Sequence, residues 1–133
     1  HKHDELRTLL QRDAAALDML QITYSPADRR AEPLMALAAG QGLGVLVNRP
    51  FDGGALLARL AREPLPGLAA ELQCATWAAL VLKWELAHPA VVCAIPATTN
   101  PEHVTQNLAA MQGPLPDARQ RAALTQIFDR LLR

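Results

Sequence analysis

Three short apolar runs, at residues 17–24, 42–48 and 90–96, constrain the fold of this chain more than any other feature. Each run is rich in leucine or β-branched residues and is bounded by turn-forming residues. Continuous apolar runs of this length are typical of strands buried on both faces, as in a parallel sheet. We therefore predict three such strands over these ranges.

The segments around these runs have apolar residues at helical spacing, which predicts helices at residues 4–11, 34–39, 76–86, 101–111 and 117–132. Pro33 is expected in the first turn of the second helix, and Gly40 and Gly42 can terminate it. Trp77 and Trp84 share one face of the third helix and are expected in the core. Strands that alternate with helices predict an α/β fold with a parallel sheet, in one domain over residues 1–133.

The predicted sheet is small for the number of helices around it. Three parallel strands bury little apolar surface, and both outer strands would leave open edges, which proteins normally cover. We therefore expect the sheet to continue into strands that this sequence does not contain, or the chain to self-associate.

The charge balance excludes some classes of partner. Acidic and basic residues are equal in number, so the formal net charge is zero, and the chain lacks the basic surface with which proteins bind nucleic acid or anionic membranes.

The sequence has no apolar run long enough to span a bilayer and no signal-peptide core, and Cys74 and Cys93 lie among apolar neighbours. These features predict a cytoplasmic location, buried free thiols, and neither a nucleic-acid nor a membrane partner.

Polar residues follow each predicted strand, where parallel α/β proteins place their functional groups. After the third strand the sequence reads TTNPEHVTQN, in which Asn100 suits a helix N-cap. A cap does not require the neighbouring polar residues, which are Thr98, Thr99, His103 and Asn107. A helix N-terminus flanked by hydroxyls and a histidine suits a phosphate. A well-capped helix without a ligand is the alternative.

The C-terminal half of the aldo/keto reductase family is similar to this chain in three segments that occur in the same order: LQITYSP, GLGVLVNRPFDGGALL and AIPATTNPEHVTQNLAA. The resemblance implies the C-terminal half of a (β/α)8 TIM barrel, with the three runs as its sixth, seventh and eighth strands. It also implies an oxidoreductase that uses NADPH or NADH to reduce a small aldehyde or ketone.

The same resemblance implies a cofactor site, with no catalytic and no metal-binding residue on this chain. By position in the family pattern, Gln21 would bind the nicotinamide carboxamide, and the loop after the seventh strand would pass over the nicotinamide and pyrophosphate. The start of the last barrel helix would hold the adenosine phosphate and the adenine. Without a cofactor, Gln21 would be a buried polar residue in need of partners. The predicted cofactor-binding residues are Gln21, Asn48, Arg49, Pro50, Phe51, Gly53, Gly54, Thr98, Thr99, His103, Gln106 and Asn107.

Two positions depart from the family pattern. Asn48 stands where many members stack a tyrosine on the nicotinamide. Ala97 and His103 stand where many NADPH users carry arginine or lysine. Because histidine is a weaker and pH-dependent partner for a phosphate, we expect only modest discrimination between NADPH and NADH.

The family's acid–base tetrad of aspartate, tyrosine, lysine and histidine has no match in this sequence. Tyr24 is the only tyrosine, and Lys2 and Lys83 are the only lysines. We therefore expect the chain to be inactive alone and to act with the remaining N-terminal half of a barrel. The alternative is a non-catalytic module that binds a nucleotide or self-associates.

Overall fold

The structure is a computed structural model that describes residues 2–13 and 16–133. Its strands are β1 (Met19–Thr23), β2 (Gly44–Asn48) and β3 (Val91–Ile95), and they pair in parallel in the order β1-β2-β3. Its helices are α1 (Lys2–Asp13), α2 (Glu32–Gly40), α3 (Ala55–Leu60), α4 (Gly67–Glu71), α5 (Trp77–Leu86), α6 (Pro101–Leu108) and α7 (Ala118–Leu131). The strands lie within the predicted ranges, which confirms the predicted α/β fold with a parallel sheet.

The five helices that the sequence patterns predict are present, and only the two shortest helices were not predicted. Pro33 lies in the first turn of α2, as predicted, and Asp117 caps α7 through a reciprocal pair of hydrogen bonds with Gln120. Helices α3 and α4 were not predicted, because neither is long enough to show a clear helical period. Within the described ranges, no helix is both long and apolar enough to cross a membrane.

One face of the sheet packs against helices and forms the core. The side chains on this face are buried, and they are Leu20, Ile22, Val45, Val47 and Val91. Trp84 in α5 is fully buried, and its indole N–H donates a hydrogen bond to the Thr125 hydroxyl of α7 at 2.9 Å. Trp77 is also buried. The predicted core role of both tryptophans is therefore confirmed.

The opposite face of the sheet is exposed, so the prediction that the strands are buried on both faces is wrong for this chain. The side chains of β1 alternate between exposed and buried. Met19, Val92 and Ile95 are 49%, 59% and 41% exposed. No segment of the described part of the chain covers this face. In a closed (β/α)8 barrel the corresponding face is the packed interior, which accounts for apolar residues at these positions.

The two cysteines carry free thiols, as predicted, but only one is buried. Cys74 is buried, and its Sγ lies 3.5 Å from the carbonyl oxygen of Leu72. Cys93 is half-buried, because it lies in β3 at the open edge of the sheet. The expected burial of Cys93 is therefore corrected.

Candidate functional site

The loop after β2 turns through residues with left-handed backbone. These are Arg49 (φ 51°), Asp52 (φ 48°), Gly53 (φ 64°) and Gly54 (φ 96°). Glycine adopts this conformation at little cost, whereas arginine and aspartate are strained there. A Cβ atom at Gly54 would meet no atom within 4 Å. The loop therefore exposes a stretch of backbone with open space beside it.

The loop after β3 is held by side-chain hydrogen bonds at the start of α6. The Asn100 side chain accepts a hydrogen bond from the Glu102 amide at 2.9 Å, which confirms the predicted N-cap. The Thr98 hydroxyl accepts from the Asn100 amide at 3.1 Å and lies 3.3 Å from Nδ1 of His103. Thr98 and His103 are thus held together beside the N-terminus of α6.

A cavity of about 460 Å³ separates these two loops and brings together most of the predicted site residues. Its predicted members are Arg49, Pro50, Phe51, Gly53, Gly54, Thr98, His103, Gln106 and Asn107. Leu57, Ala78 and Ile95 are among its apolar lining residues, which the residue patterns did not single out. A cleft with apolar walls and a few polar groups is typical of ligand sites.

Three predicted residues lie outside this cavity: Gln21, Asn48 and Thr99. Gln21 is exposed in the middle of β1, on the uncovered face of the sheet, so its predicted burial is wrong for this chain. Asn48 ends β2 and accepts a hydrogen bond from the Thr23 hydroxyl at 2.7 Å. Thr99 is exposed beside the cavity residue Thr98.

A second, more open depression of about 720 Å³ lies between the loops after β1 and β2, and Arg49 lines both cavities. Its other arginines are paired: Arg29 binds Asp129 of α7, and the guanidinium of Arg30 makes two hydrogen bonds to the Asp28 carboxylate, at 2.8 and 2.6 Å. The pairing leaves little free positive charge there. No local pattern could have revealed the Arg29 pair, whose partners lie 100 residues apart.

The chain's tyrosine and its buried lysine are bonded within the fold and do not line the cavity between the loops. The fully buried Tyr24 donates a hydrogen bond to Glu32 at 2.8 Å. Burial, reinforced by that bond, raises the pKa of Tyr24 far above its usual value of 10.0. The Lys83 ammonium donates to backbone carbonyls of Leu72, Gln112 and Pro114 at 2.5 to 3.0 Å. Both side chains therefore stabilise the fold, and neither is placed to donate a proton to a ligand in the cavity.

Known proteins resemble this chain in sequence and in fold. Residues 1–127 match the Aldo/keto reductase family profile. NADH-specific methylglyoxal reductase of Escherichia coli K12 is 30% identical over 142 aligned positions, which cover 86% of this chain and 43% of that protein. An aldo-keto reductase of Bacillus halodurans has a similar fold in its holo and apo forms, with a TM-score of 0.70 and 23% identity.

The chain spans less than half the length of these relatives. The match to the Bacillus halodurans structures covers 98% of this chain but only 47% and 48% of theirs. At this level of identity the structural similarity shows the fold alone, which is the C-terminal half of a (β/α)8 barrel. The sequence profile covers nearly the whole chain, and it shows that this chain belongs to the aldo/keto reductase family.

Proposed function

We propose that this chain binds the nicotinamide dinucleotide, NADPH or NADH, of an oxidoreductase that reduces a small aldehyde or ketone. One observation carries the proposal: a single cavity joins the loop after β2 to the start of α6, and both segments are rich in groups that suit a dinucleotide. When bound, the dinucleotide supplies the hydride that reduces the carbonyl carbon. Membership of the aldo/keto reductase family supports this type of reaction.

The loop after β2 suits the pyrophosphate. Gly53 and Gly54 have left-handed backbone and carry no side chain of their own, so the phosphates can approach the main chain closely there. Arg49 lines the same cavity and would add positive charge. Its ion pair with Asp52 is long, at 3.8 Å, and both side chains are exposed, so the pair holds Arg49 only weakly.

The start of α6 suits the adenosine end. Thr98 and His103 lie together beside the N-terminus of this helix, where the helix dipole favours negative charge, and they would bind a phosphate. Gln106 and Asn107 follow on the next turn and line the same cavity. Their amide groups can both donate and accept hydrogen bonds, as an adenine requires.

We propose only modest discrimination between NADPH and NADH. Arg49 is the only lysine or arginine among the residues that line the cavity, and it belongs to the loop after β2, away from α6. A 2′-phosphate at α6 would depend on His103. The Escherichia coli relative is named as NADH-specific, which favours NADH as a cofactor that this chain accepts.

The proton for the carbonyl oxygen would come from outside this chain. Tyr24 is fully buried and hydrogen-bonded to Glu32, and Lys83 is fully buried with carbonyl partners. We infer that the remaining N-terminal half of a barrel packs on the exposed sheet face and supplies the acid. The carbonyl substrate would then bind between the two halves. A cytoplasmic location remains a prediction.

A non-catalytic module is the second candidate. The exposed face of the sheet, with Met19, Val92 and Ile95 on its surface, could be covered by a second copy of the chain instead of by another half-barrel. Such a module would bind the dinucleotide without reducing a carbonyl. Oxidation of NADH by the full-length protein in the presence of simple aldehydes separates the two candidates.

Calorimetric titration of the full-length protein with NADH tests the proposed site. We expect Gln106→Ala and Asn107→Ala each to weaken binding about tenfold, as the loss of a ligand hydrogen bond predicts. Gln126→Ala is the matched control, because Gln126 is exposed on α7 and does not line the cavity. Equal affinity of all the variants and the unaltered protein would contradict the assignment.

A further inference from the structure

Thr23 and Asn48 lie directly opposite each other at the carboxyl ends of β1 and β2. The Thr23 hydroxyl donates a hydrogen bond to Oδ1 of Asn48 at 2.7 Å. Both side chains point to the face of the sheet that the described residues leave uncovered. The residues that precede them, Ile22 and Val47, point into the core, and side chains alternate along a strand. The bond therefore lies on the surface that would become the barrel interior.

This hydrogen bond fixes the orientation of the Asn48 amide. With Oδ1 bonded to the hydroxyl, Nδ2 is the free end of the side chain, and within residues 2–13 and 16–133 it has no acceptor. An amide nitrogen has two hydrogens to donate. The pair thus presents a donor that is held in place but not used within the described chain.

The position of this donor links the cavity to Gln21. Asn48 directly precedes Arg49, which lines the cavity, and it is opposite Ile95, which also lines it. On the other side, Gln21 lies two residues before Thr23 on the same face of β1, about 7 Å along the strand. The Asn48 amide therefore lies between the cavity and the side chain predicted to meet the nicotinamide.

We propose that Thr23 is a positioning residue that holds the Asn48 amide with its N–H groups toward the nicotinamide end of the bound dinucleotide, where they donate to a carbonyl oxygen such as that of the carboxamide. This role rests on the proposed function. It gives Thr23, which no local sequence pattern singles out, a part in cofactor recognition through Asn48. The chemical requirement is an acceptor oxygen on the ligand, which a carboxamide supplies.

The test compares two ligands by calorimetry on the full-length protein: NADH, and ADP-ribose, which lacks the nicotinamide. We expect Thr23→Val to weaken NADH binding about fivefold and Asn48→Ala about tenfold, as loss of one hydrogen bond predicts. Affinity for ADP-ribose should not change. Valine preserves the β-branched shape of threonine and its preference for strands, so the fold should be unaffected.

Two further variants show whether Thr23 acts through Asn48. Thr23→Ser keeps the hydroxyl and should keep NADH affinity. The double variant Thr23→Val, Asn48→Ala should bind NADH no more weakly than Asn48→Ala alone, because the two changes remove one interaction.

Three outcomes would overturn the role of Thr23 while leaving the proposed function intact: unchanged NADH binding by Thr23→Val, additive losses in the double variant, or an equal loss of ADP-ribose binding. Failure of the unaltered protein to bind NADH, NADPH or ADP-ribose would instead contradict the proposed function itself, and this role with it.

Discussion

The guanidinium of Arg121 donates a hydrogen bond to the hydroxyl of Tyr24 at 2.6 Å, across 97 residues of sequence. The same guanidinium lies 4.4 Å from the centre of the Trp84 ring, and the ring of Tyr24 stacks on Trp84 at 5.3 Å. Glu32 accepts the hydrogen of the Tyr24 hydroxyl. These contacts join the end of β1 to α2, α5 and α7, so they stabilise the packing of these elements.

Tyr24→Phe should therefore destabilise the fold without weakening the cofactor site. Loss of the hydroxyl leaves Glu32 and Arg121 without a shared partner, and we expect the free energy of unfolding to fall by about 1–3 kcal/mol. Urea denaturation measures this change, and titration with NADH measures the affinity. A fall in affinity at unchanged stability would contradict the structural role of Tyr24.

Arg121 and Arg119, both in α7, provide a test variant and a matched control for the contacts around Tyr24. Arg121→Met should reduce stability by a similar amount, because it removes the bond to Tyr24 and the contact with Trp84. Arg119→Met should have little effect, since Arg119 is exposed. Equal losses in both variants would show that the contacts of Arg121 with Tyr24 and Trp84 contribute nothing specific to stability.

Glu85 should make stability depend on pH. It is fully buried in α5, and among the described residues neither of its carboxylate oxygens has a hydrogen-bond partner. Burial raises the pKa of this carboxyl well above 4.5. At pH values between 4.5 and the folded pKa, the Glu85 carboxyl loses its proton in the unfolded chain but keeps it in the folded chain. The free energy of unfolding therefore falls by up to about 1.4 kcal/mol per pH unit until the pH passes the folded pKa.

Glu85→Leu should remove this slope and raise the stability at neutral pH, since leucine fills a similar volume without a buried carboxyl. Urea denaturation at a series of pH values from about 5 to 8 measures the slope. Glu102→Leu, at an exposed position of α6, is the control and should leave the slope unchanged. An identical pH dependence in the Glu85→Leu variant would show that this carboxyl is ionised in the folded chain.

Lys83→Met should lower the free energy of unfolding by more than most single substitutions do. The ammonium binds carbonyl oxygens of Leu72, Gln112 and Pro114, and so ties the end of α4 to the segment after α6. Its removal takes away the charged donor that these three carbonyl oxygens share, and we expect the free energy of unfolding to fall by about 2–4 kcal/mol. The control Lys2→Met changes an exposed lysine of α1. Hydrogen exchange should show the largest increase near Gln112, and an increase spread evenly over the chain would contradict this local role.

Gly54→Ala should destabilise the loop after β2 through backbone strain and should weaken the site, where the added methyl would also face the bound phosphates. The φ of Gly54 is 96°, and an added Cβ would meet no protein atom within 4 Å, so crowding within the chain makes no contribution to the loss of stability. We expect a loss of stability of about 1–2 kcal/mol and weaker binding of NADH. Gly67→Ala is the control, because its Cβ also enters open space and its φ is not left-handed. Similar behaviour of the two variants would contradict a conformational requirement at Gly54.

The sequence predicted the strands, the larger helices and the cap at Asn100, because these depend on local periodicity and local hydrogen bonds. The exposed face of the sheet was not predicted. The apolar character of Met19 and Val92 fits burial in the complete barrel that we propose, and a residue pattern cannot show which segment would cover them. Pairs such as Tyr24 with Arg121 leave no local pattern at all.

The two loops of the candidate site were predicted, whereas the neighbouring residue Thr23, at the end of β1, was missed. The loops came from the family resemblance and from the polar residues around α6, and the structure places most of these residues around one cavity. Thr23 was missed because threonine is common in strands. One feature of the sequence could have indicated its role: Thr23 lies two residues after Gln21 and so shares a face of β1 with it.

A crystal structure of the full-length protein with NADH bound would test the proposed cofactor site. We expect the pyrophosphate beside Gly53 and Gly54, the adenine beside Gln106 and Asn107, and the nicotinamide toward Gln21. A dinucleotide bound elsewhere in the protein, or an empty cavity at a saturating concentration of NADH, would contradict the account.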